Sequence, residues 1–162
     1  MKTFYALSFI LFSSFVFLPT ISGQEKLRDI LPLKDGKVTY TNVIHVDSIS
    51  KEEIYKRAKQ WLAHNFEYTK NDDKDELISR GYIQYGLFKI WQTITIKIKN
   101  GKYKYEITDF TFSDGHIDQN IEGNYGSITK KSDSKFIDDH VTKSIMLLEQ
   151  AIKTDTSKED NW

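Results

Sequence analysis

The chain has 162 residues, 39% of them hydrophobic and 28% charged, which is the composition of a single globular domain. Lysine plus arginine and aspartate plus glutamate number 23 each, so no excess of positive charge is present to neutralise a nucleic-acid backbone, and nucleic acid is not an expected partner. The sequence contains no cysteine, which excludes disulfides, thiolate metal sites, cysteine nucleophiles and a lipidated cysteine.

Residues 1–23 have the features of a secretory signal peptide. Met1 and Lys2 give a positively charged start, residues 4–18 are uncharged and mostly apolar, and the small residue Gly23 precedes Gln24. The apolar stretch is shorter than the roughly 20 residues that a membrane-spanning helix needs. We therefore expect cleavage near Gly23 and a mature domain that works in the periplasm, the cell envelope or the medium. An uncleaved segment would instead hold the same domain at the membrane.

The mature chain is predicted to begin with a linker and a strand. Residues 24–33 mix polar and apolar side chains and are predicted to link the signal peptide to a domain over residues 34–155. Within residues 37–47, polar residues alternate with Val38, Tyr40, Ile44 and Val46. This spacing predicts a strand with one buried face.

A helix is predicted to follow this strand. Ser50 and Glu53 form a capping-box motif, and Ile49 and Ile54 occupy the two positions of a hydrophobic staple. The apolar residues that recur at helical spacing before about Asn65 are Ile54, Ala58, Trp61 and Leu62. The apolar stripe predicts that this helix packs on a sheet.

Three further strands are predicted over residues 77–85, 90–99 and 102–112, after a polar loop over residues 71–76. The middle strand alternates strictly, so that its two faces differ in chemistry. One face carries Ile90, Ile94, Ile96 and Ile98, and the other carries Trp91, Thr93, Thr95, Lys97 and Lys99.

Two local features connect these strands. Asn100-Gly101 predicts a hairpin with a type I′ turn, because both residues tolerate a positive φ. In the last strand the inward positions shift phase between Ile107 and Phe110, which predicts a β-bulge near Thr108 and Asp109.

The remaining chain predicts a second helix and completes the fold. Residues 113–135 are rich in glycine, aspartate, asparagine and serine and predict a long loop or a weak hairpin. A helix is expected from about Ser134 to Lys153. Residues 156–162 are expected to be a frayed tail. The resulting order β-α-β-β-β-α predicts an α+β domain: a four-stranded antiparallel sheet with two helices on one face. The other sheet face, rich in threonine and lysine, would be open and wettable.

Several stretches of the sequence resemble a known family. They are Leu33 to Tyr40, Ile54 to Ala58, Trp61-Leu62, Gly101 to Tyr105 and Asp109-Phe110. This pattern is similar to an uncharacterised family of exported bacterial proteins, described as a domain of unknown function with a TATA-binding-protein-like fold. The resemblance implies a β-α-β-β-β-α half-saddle and transfers no catalytic residue. It does not imply DNA binding, because fold alone does not carry function.

The sequence offers no strong catalytic or metal-binding motif, and no cofactor is expected. The histidines are scattered without metal-ligand spacing: His45, His64, His116 and His140. The acidic run over residues 72–76 lacks the glycine of a calcium loop and is expected to be solvated. Residues 113–116, Ser-Asp-Gly-His, are better explained as a turn than as a catalytic triad.

These observations favour a non-enzymatic binding domain of the cell envelope, whose partner is an unknown protein or envelope component. The expected contact residues are Trp91, Thr93 and Lys97 on the open sheet face and His116 in the following loop. One alternative is a carrier with an apolar pocket between helices and sheet. Another is a cell-wall hydrolase with paired carboxylates, for which the candidates are Asp109, Asp114, Asp118 and Glu122.

Overall fold

The computed structural model describes residues 30–115, 118–122 and 131–154, with the backbone alone at residues 68, 70, 72 and 131. The signal peptide predicted over residues 1–23 and the tail predicted over residues 156–162 lie outside the described residues, as do most of the predicted linker and His116.

Two helices and eight strands make up the described part of the chain. The order is β1 (Leu33–Lys34), β2 (Lys37–Val38), β3 (Tyr40–His45), α1 (Lys51–Asn65), β4 (Tyr68–Asp72), β5 (Glu76–Tyr85), β6 (Phe88–Lys99), β7 (Lys102–Ser113), β8 (Asp118–Asn120) and α2 (Lys131–Lys153). The central β-α-β-β-β-α order predicted from the sequence is therefore present, with additional short strands around it.

The main sheet is antiparallel and larger than predicted. Its order is β3-β7-β6-β5-β4, and β8 pairs with the end of β7. The α+β class is confirmed, but the expected four-stranded sheet gains β4 at one edge and the three-residue β8 beside β7. Both additions are polar segments at sheet edges, where the alternation of apolar residues that identifies a strand is weak.

The start of α1 agrees with its sequence motif. The Ser50 side chain accepts a hydrogen bond from the Glu53 backbone N–H, and the helix ends at Asn65. Ile54 is fully buried and Ile49 is partly buried against the core. The Glu53 carboxylate accepts a hydrogen bond from Arg57 Nε, so the capping residue also positions a buried arginine.

Both helices pack on the same face of the sheet. The inward isoleucines of β6 are at most 3% exposed and form one cluster with Ile54 of α1 and with Ile137 and Leu148 of α2. Leu31 is only 2% exposed, so packing begins slightly before the predicted domain boundary. The cluster brings side chains from both helices and from the sheet together in one buried layer.

A β-bulge sets the register of β7, as predicted. Trp91 pairs with Thr111 and Thr93 pairs with Thr108, so that Asp109 and Phe110 together face Gln92. Asp109 has a φ of 55°, in the left-handed region. The extra residue keeps Phe110 on the helix-covered face, where it is fully buried.

The hairpin between β6 and β7 forms at Asn100-Gly101, but its turn is not type I′. Gly101 has a φ of 70°, whereas Asn100 does not share the positive φ that a type I′ turn requires at both positions. A turn of that kind occurs instead between β1 and β2, where Asp35 and Gly36 have φ values of 52° and 79°.

Two tyrosine–aspartate hydrogen bonds attach α2 to the sheet. Tyr40 on β3 donates to Asp138, with an oxygen–oxygen distance of 2.9 Å, and Tyr85 on β5 donates to Asp133, at 2.5 Å. Burial, and then the hydrogen bond to Asp138, raise the pKa of Tyr40 far above its usual value. The hydrogen bond to Asp133 is the main cause of a raised pKa at Tyr85.

We expect opposite effects from removing the hydroxyl groups of Tyr40 and Tyr103. Tyr40→Phe should lower the free energy of unfolding by about 1–3 kcal/mol, because the Asp138 carboxylate loses its donor. Tyr103→Phe should be neutral or stabilising, because the Tyr103 hydroxyl is buried and has no hydrogen-bond partner within the described residues. Urea denaturation at pH 7 measures both, and equal destabilisation of the two variants would contradict this assignment.

The raised pKa values of Tyr40 and Tyr103 predict how the stability of the protein changes in alkali. Burial is the largest cause of the raised pKa at both Tyr40 and Tyr103. The unfolded tyrosines ionise near pH 10 while the folded ones stay protonated, so stability falls as the pH rises further. Each Phe variant should therefore lose stability less steeply above pH 10 than the parent chain.

A glycine on β5 allows the chain leaving α1 to approach the sheet. A Cβ at Gly81 would lie 2.8 Å from Phe66 Cδ1 and 3.2 Å from Phe66 Cα, and Phe66 itself packs on Trp61 at a ring distance of 5.7 Å. We expect Gly81→Ala to cost about 1–3 kcal/mol in urea denaturation through this overlap. Phe66→Leu should cost less in the Gly81→Ala background than alone, and additive losses would contradict the contact.

Candidate binding site on the outer sheet face

The face of the main sheet opposite the helices is called the outer face here. It carries three of the four contact residues expected from the sequence: Trp91 is half-buried, Lys97 is exposed, and Thr93 is only 6% exposed. Thr93 lies between Arg80 and Thr108 on the neighbouring strands. Contrary to the expectation, Thr93 is therefore not an open contact residue, whereas Trp91 and Lys97 remain accessible.

One end of the outer face carries an aromatic–cation cluster, formed by Arg80, Tyr82, Lys89 and Trp91. Tyr82 and Trp91 are directly opposite on β5 and β6, with their rings edge-to-face at 5.1 Å. The Arg80 guanidinium lies 5.4 Å from the centre of the Trp91 ring, and Lys89 Nζ lies 3.9 Å from that of Tyr82. Such contacts hold a cation over an aromatic surface without neutralising its charge.

Next to this cluster is an open cleft of about 330 Å³, lined by Arg80, Trp91, Ser113 and Asp118. Strand β8 places Asp118 there, because Asp118 pairs with Ser113 on β7. Arg80 is half-buried, and its Nε atom is buried without a hydrogen-bond partner among the described residues. The Arg80 side chain thus lies beside a polar cleft, and its buried Nε–H has no acceptor among the described residues.

The other end of the outer face carries a lysine patch, formed by Lys97, Lys99, Lys102 and Lys104 around the β6–β7 hairpin. Lys97 is directly opposite Lys104, and Lys99 is directly opposite Lys102. Like charges at directly opposite positions destabilise a sheet. The four lysines border a depression of about 290 Å³ that Val43, 45% exposed, also lines.

Carboxylates balance only half of this patch. Lys97 Nζ lies 3.1 Å from Glu76, and Lys104 Nζ lies 3.5 Å from Glu106. Within the part of the chain that the structure describes, neither Lys99 nor Lys102 has a carboxylate at ion-pair distance. The sequence indicated lysines on this face, but only the strand register shows that they are paired with each other.

The histidines do not converge. His64 and His140 each hydrogen-bond through Nδ1 to a carbonyl one helical turn earlier, and His45 Nδ1 lies 3.9 Å from the exposed Asp47. Among residues 30–115, 118–122 and 131–154, no group of three or more potential ligands could hold a metal ion. His116 cannot be assigned a place in the site because it lies outside these residues.

The acidic residues considered for hydrolysis have other surroundings. Glu122 accepts a hydrogen bond from the Val38 backbone N–H at 2.9 Å, and Asp109 is exposed at the bulge. In the acidic run, Asp75 forms an ion pair with Lys51, and Glu76 forms one with Lys97. Of the four candidates, Glu122 thus supports β2, Asp109 occupies the bulge, and Asp118 lines the cleft beside Arg80.

Neither described helix is long and apolar enough to cross a lipid bilayer.

Comparisons with known proteins agree with this architecture. The model of a domain of unknown function (DUF4468) with TBP-like fold matches residues 40–113. The crystal structure of a TBP-like protein from Parabacteroides distasonis is similar with a TM-score of 0.64 and 17% identity, covering 77% of this chain and 98% of that chain. The crystal structure of a DUF4468 family protein from Bacteroides ovatus is similar with a TM-score of 0.60 and 16% identity, covering 78% of this chain and 92% of that chain. No curated protein matches the chain.

The matched residues run from the first residue of β3 to the last residue of β7 and so include α1 and the five long strands. At these levels of identity the two crystal structures show the shared fold alone. Residues 40–113 of the chain thus match the model of the DUF4468 domain of unknown function, and the chain shares the TBP-like fold of the two crystal structures.

Proposed function

We propose that this chain is an exported, non-enzymatic binding domain of the cell envelope, and that its outer face binds an anionic polysaccharide. The observation that carries the proposal is the lysine patch, with its two directly opposed lysine pairs. The expected contact residues Trp91 and Lys97 lie on the same face. Export is supported by the composition of residues 1–23.

The lysine patch is unusual because the chain as a whole is neutral, with 23 basic and 23 acidic residues. Four lysines on two adjacent strands repel one another, and this repulsion is relieved when an anionic partner binds. The sheet is antiparallel and its outer face carries neither helix, so the lysines can reach a partner directly.

The shape of the patch favours a polymer strand over a membrane surface. Opposite residues on neighbouring strands are about 5 Å apart, and alternate residues along one strand are about 7 Å apart, so the four lysines start from a small area of the sheet. Carboxylates of Glu76 and Glu106 lie beside Lys97 and Lys104. A flat anionic bilayer would also meet these carboxylates, whereas a single polymer chain can follow the lysines alone.

Export predicts a defined mature terminus. When the full chain is expressed in a Gram-negative host, we expect the protein in the periplasmic, envelope or medium fraction, and N-terminal sequencing should begin near Gln24. A protein that stays in the cytosol with Met1 in place would contradict export, whereas an envelope-bound protein that keeps its first residues would indicate an anchor.

Charge reversal in the patch should abolish binding to an anionic polysaccharide. We expect Lys99→Glu with Lys102→Glu to weaken binding to polygalacturonate at least tenfold, and the parent affinity to fall as salt is added. Lys56→Glu with Lys143→Glu, on exposed positions of the helices, gives the same change in net charge and should leave binding unchanged.

Biolayer interferometry with immobilised polygalacturonate, with dextran as the neutral control, measures these affinities. Equal losses in the two double variants would show only a general charge effect. Binding to phosphatidylglycerol vesicles but not to polygalacturonate would replace the polymer with a membrane surface and overturn the proposal.

A further inference from the structure

Arg80 is an arginine whose surroundings do not satisfy it. Its Nε atom is buried, has no hydrogen-bond partner within the described chain, and lies beside a cleft. Leaving a buried charged donor unsatisfied costs free energy, and buried polar groups in folded proteins are nearly always paired. The contact with the Trp91 ring at 5.4 Å offsets part of this cost but supplies no acceptor.

Strand β6 offers Arg80 no carboxylate. Arg80 pairs with Thr93 on β6, so the adjacent position on this face holds a short side chain and not a carboxylate. A nearby acid is Asp118 on β8, which lines the same cleft and has no ion-pair partner among the described residues. Among the residues that the structure describes, the cleft brings together the Arg80 cation, the Asp118 carboxylate and the Ser113 hydroxyl, held on three different strands.

This set of groups is complementary to a small zwitterion. A guanidinium donates two parallel hydrogen bonds to a carboxylate, and these charge-assisted bonds are stronger than neutral ones. A carboxylate in the same cleft repels a simple anion but attracts an ammonium group. The volume of about 330 Å³ is at the lower end of the range for small-molecule sites.

We propose that the cleft between Arg80, Trp91, Ser113 and Asp118 is a second binding site, which takes a small molecule carrying both a carboxylate and an ammonium group, as in an amino acid. Arg80 binds the carboxylate and Asp118 binds the ammonium group. The Ser113 hydroxyl provides a further hydrogen bond, and Trp91 holds the guanidinium in place. This site is independent of the lysine patch at the other end of the outer face.

Titration calorimetry with the full chain tests the proposal. The first probes are the D and L forms of the common amino acids. For each amino acid that binds, three matched analogues are then tested: the acid without its amine, the amine without its carboxylate, and the hydroxy acid. We expect at least one amino acid to bind and all three analogues to bind at least tenfold more weakly. Absence of binding across the panel at millimolar concentration, or equal binding of the hydroxy acid, would overturn the proposal.

Two variants separate recognition from folding. Arg80→Met keeps an unbranched stem beside Trp91, and Asp118→Asn keeps the shape of the acid, so both should lose amino-acid binding at least tenfold. A ligand-binding role further predicts that Arg80→Met is at least as stable as the parent in urea, because an unsatisfied buried donor is removed. If Arg80→Met instead unfolds more easily and keeps its affinity, Arg80 is structural and the proposal fails.

The lysine-patch variants distinguish this site from the proposed function. Lys99→Glu with Lys102→Glu should keep amino-acid binding while losing polygalacturonate, and Arg80→Met should show the reverse. Loss of both activities in either variant would show that the outer face is one site and would contradict the independence of the cleft.

Discussion

The alternation of side chains along β6 is the constraint on which the rest of the structure depends. Ile90, Ile94, Ile96 and Ile98 face the helices and are at most 3% exposed, whereas the odd-numbered positions face away. A slip of one residue in pairing would exchange the two faces completely. The bulge at Asp109 and Phe110 maintains this division on β7, because it restores the inward phase where the strand would otherwise turn Phe110 outward.

Because both helices cover the isoleucine face, neither of them covers the polar face. Tyr40 and Tyr85 fasten α2 at two separate strands, and Arg57 of α1 donates a hydrogen bond to the carbonyl oxygen of Ile152 near the end of α2. These bonds keep the helices on one side. The aromatic–cation cluster and the lysine patch then occupy opposite ends of the outer face.

Local sequence signals predicted much of this fold, and their limits are physical. Three of these signals depend only on residues close in sequence: the capping at Ser50, the strict alternation in β6 and the phase change near Asp109. Strand β4 was not predicted, because its residues lie at a sheet edge and lack apolar alternation; only its last two residues fall in the loop predicted over residues 71–76. The burial of Thr93 depends on Arg80 and Thr108, which only the register brings beside it.

The binding sites were less predictable than the fold, for the same reason. The sequence placed Trp91 and Lys97 on the open face, but the opposition of Lys99 and Lys102, and the meeting of Arg80 with Asp118, require three or more strands in register. Residues far apart in sequence have no local pattern that reveals such a meeting. The Tyr82–Trp91 pair, by contrast, was open to prediction once β5 and β6 were read as a hairpin.

The most direct test of the central claim compares the two sides of the sheet. The lysine patch lies on the outer face, whereas Trp61 belongs to α1 and is 7% exposed in the core. In nuclear magnetic resonance spectra of the full chain titrated with polygalacturonate, we expect changes at the lysine-patch resonances, with the Trp61 indole N–H unchanged. Changes at Trp61 and the helices, with the outer face unaffected, would contradict recognition through this face.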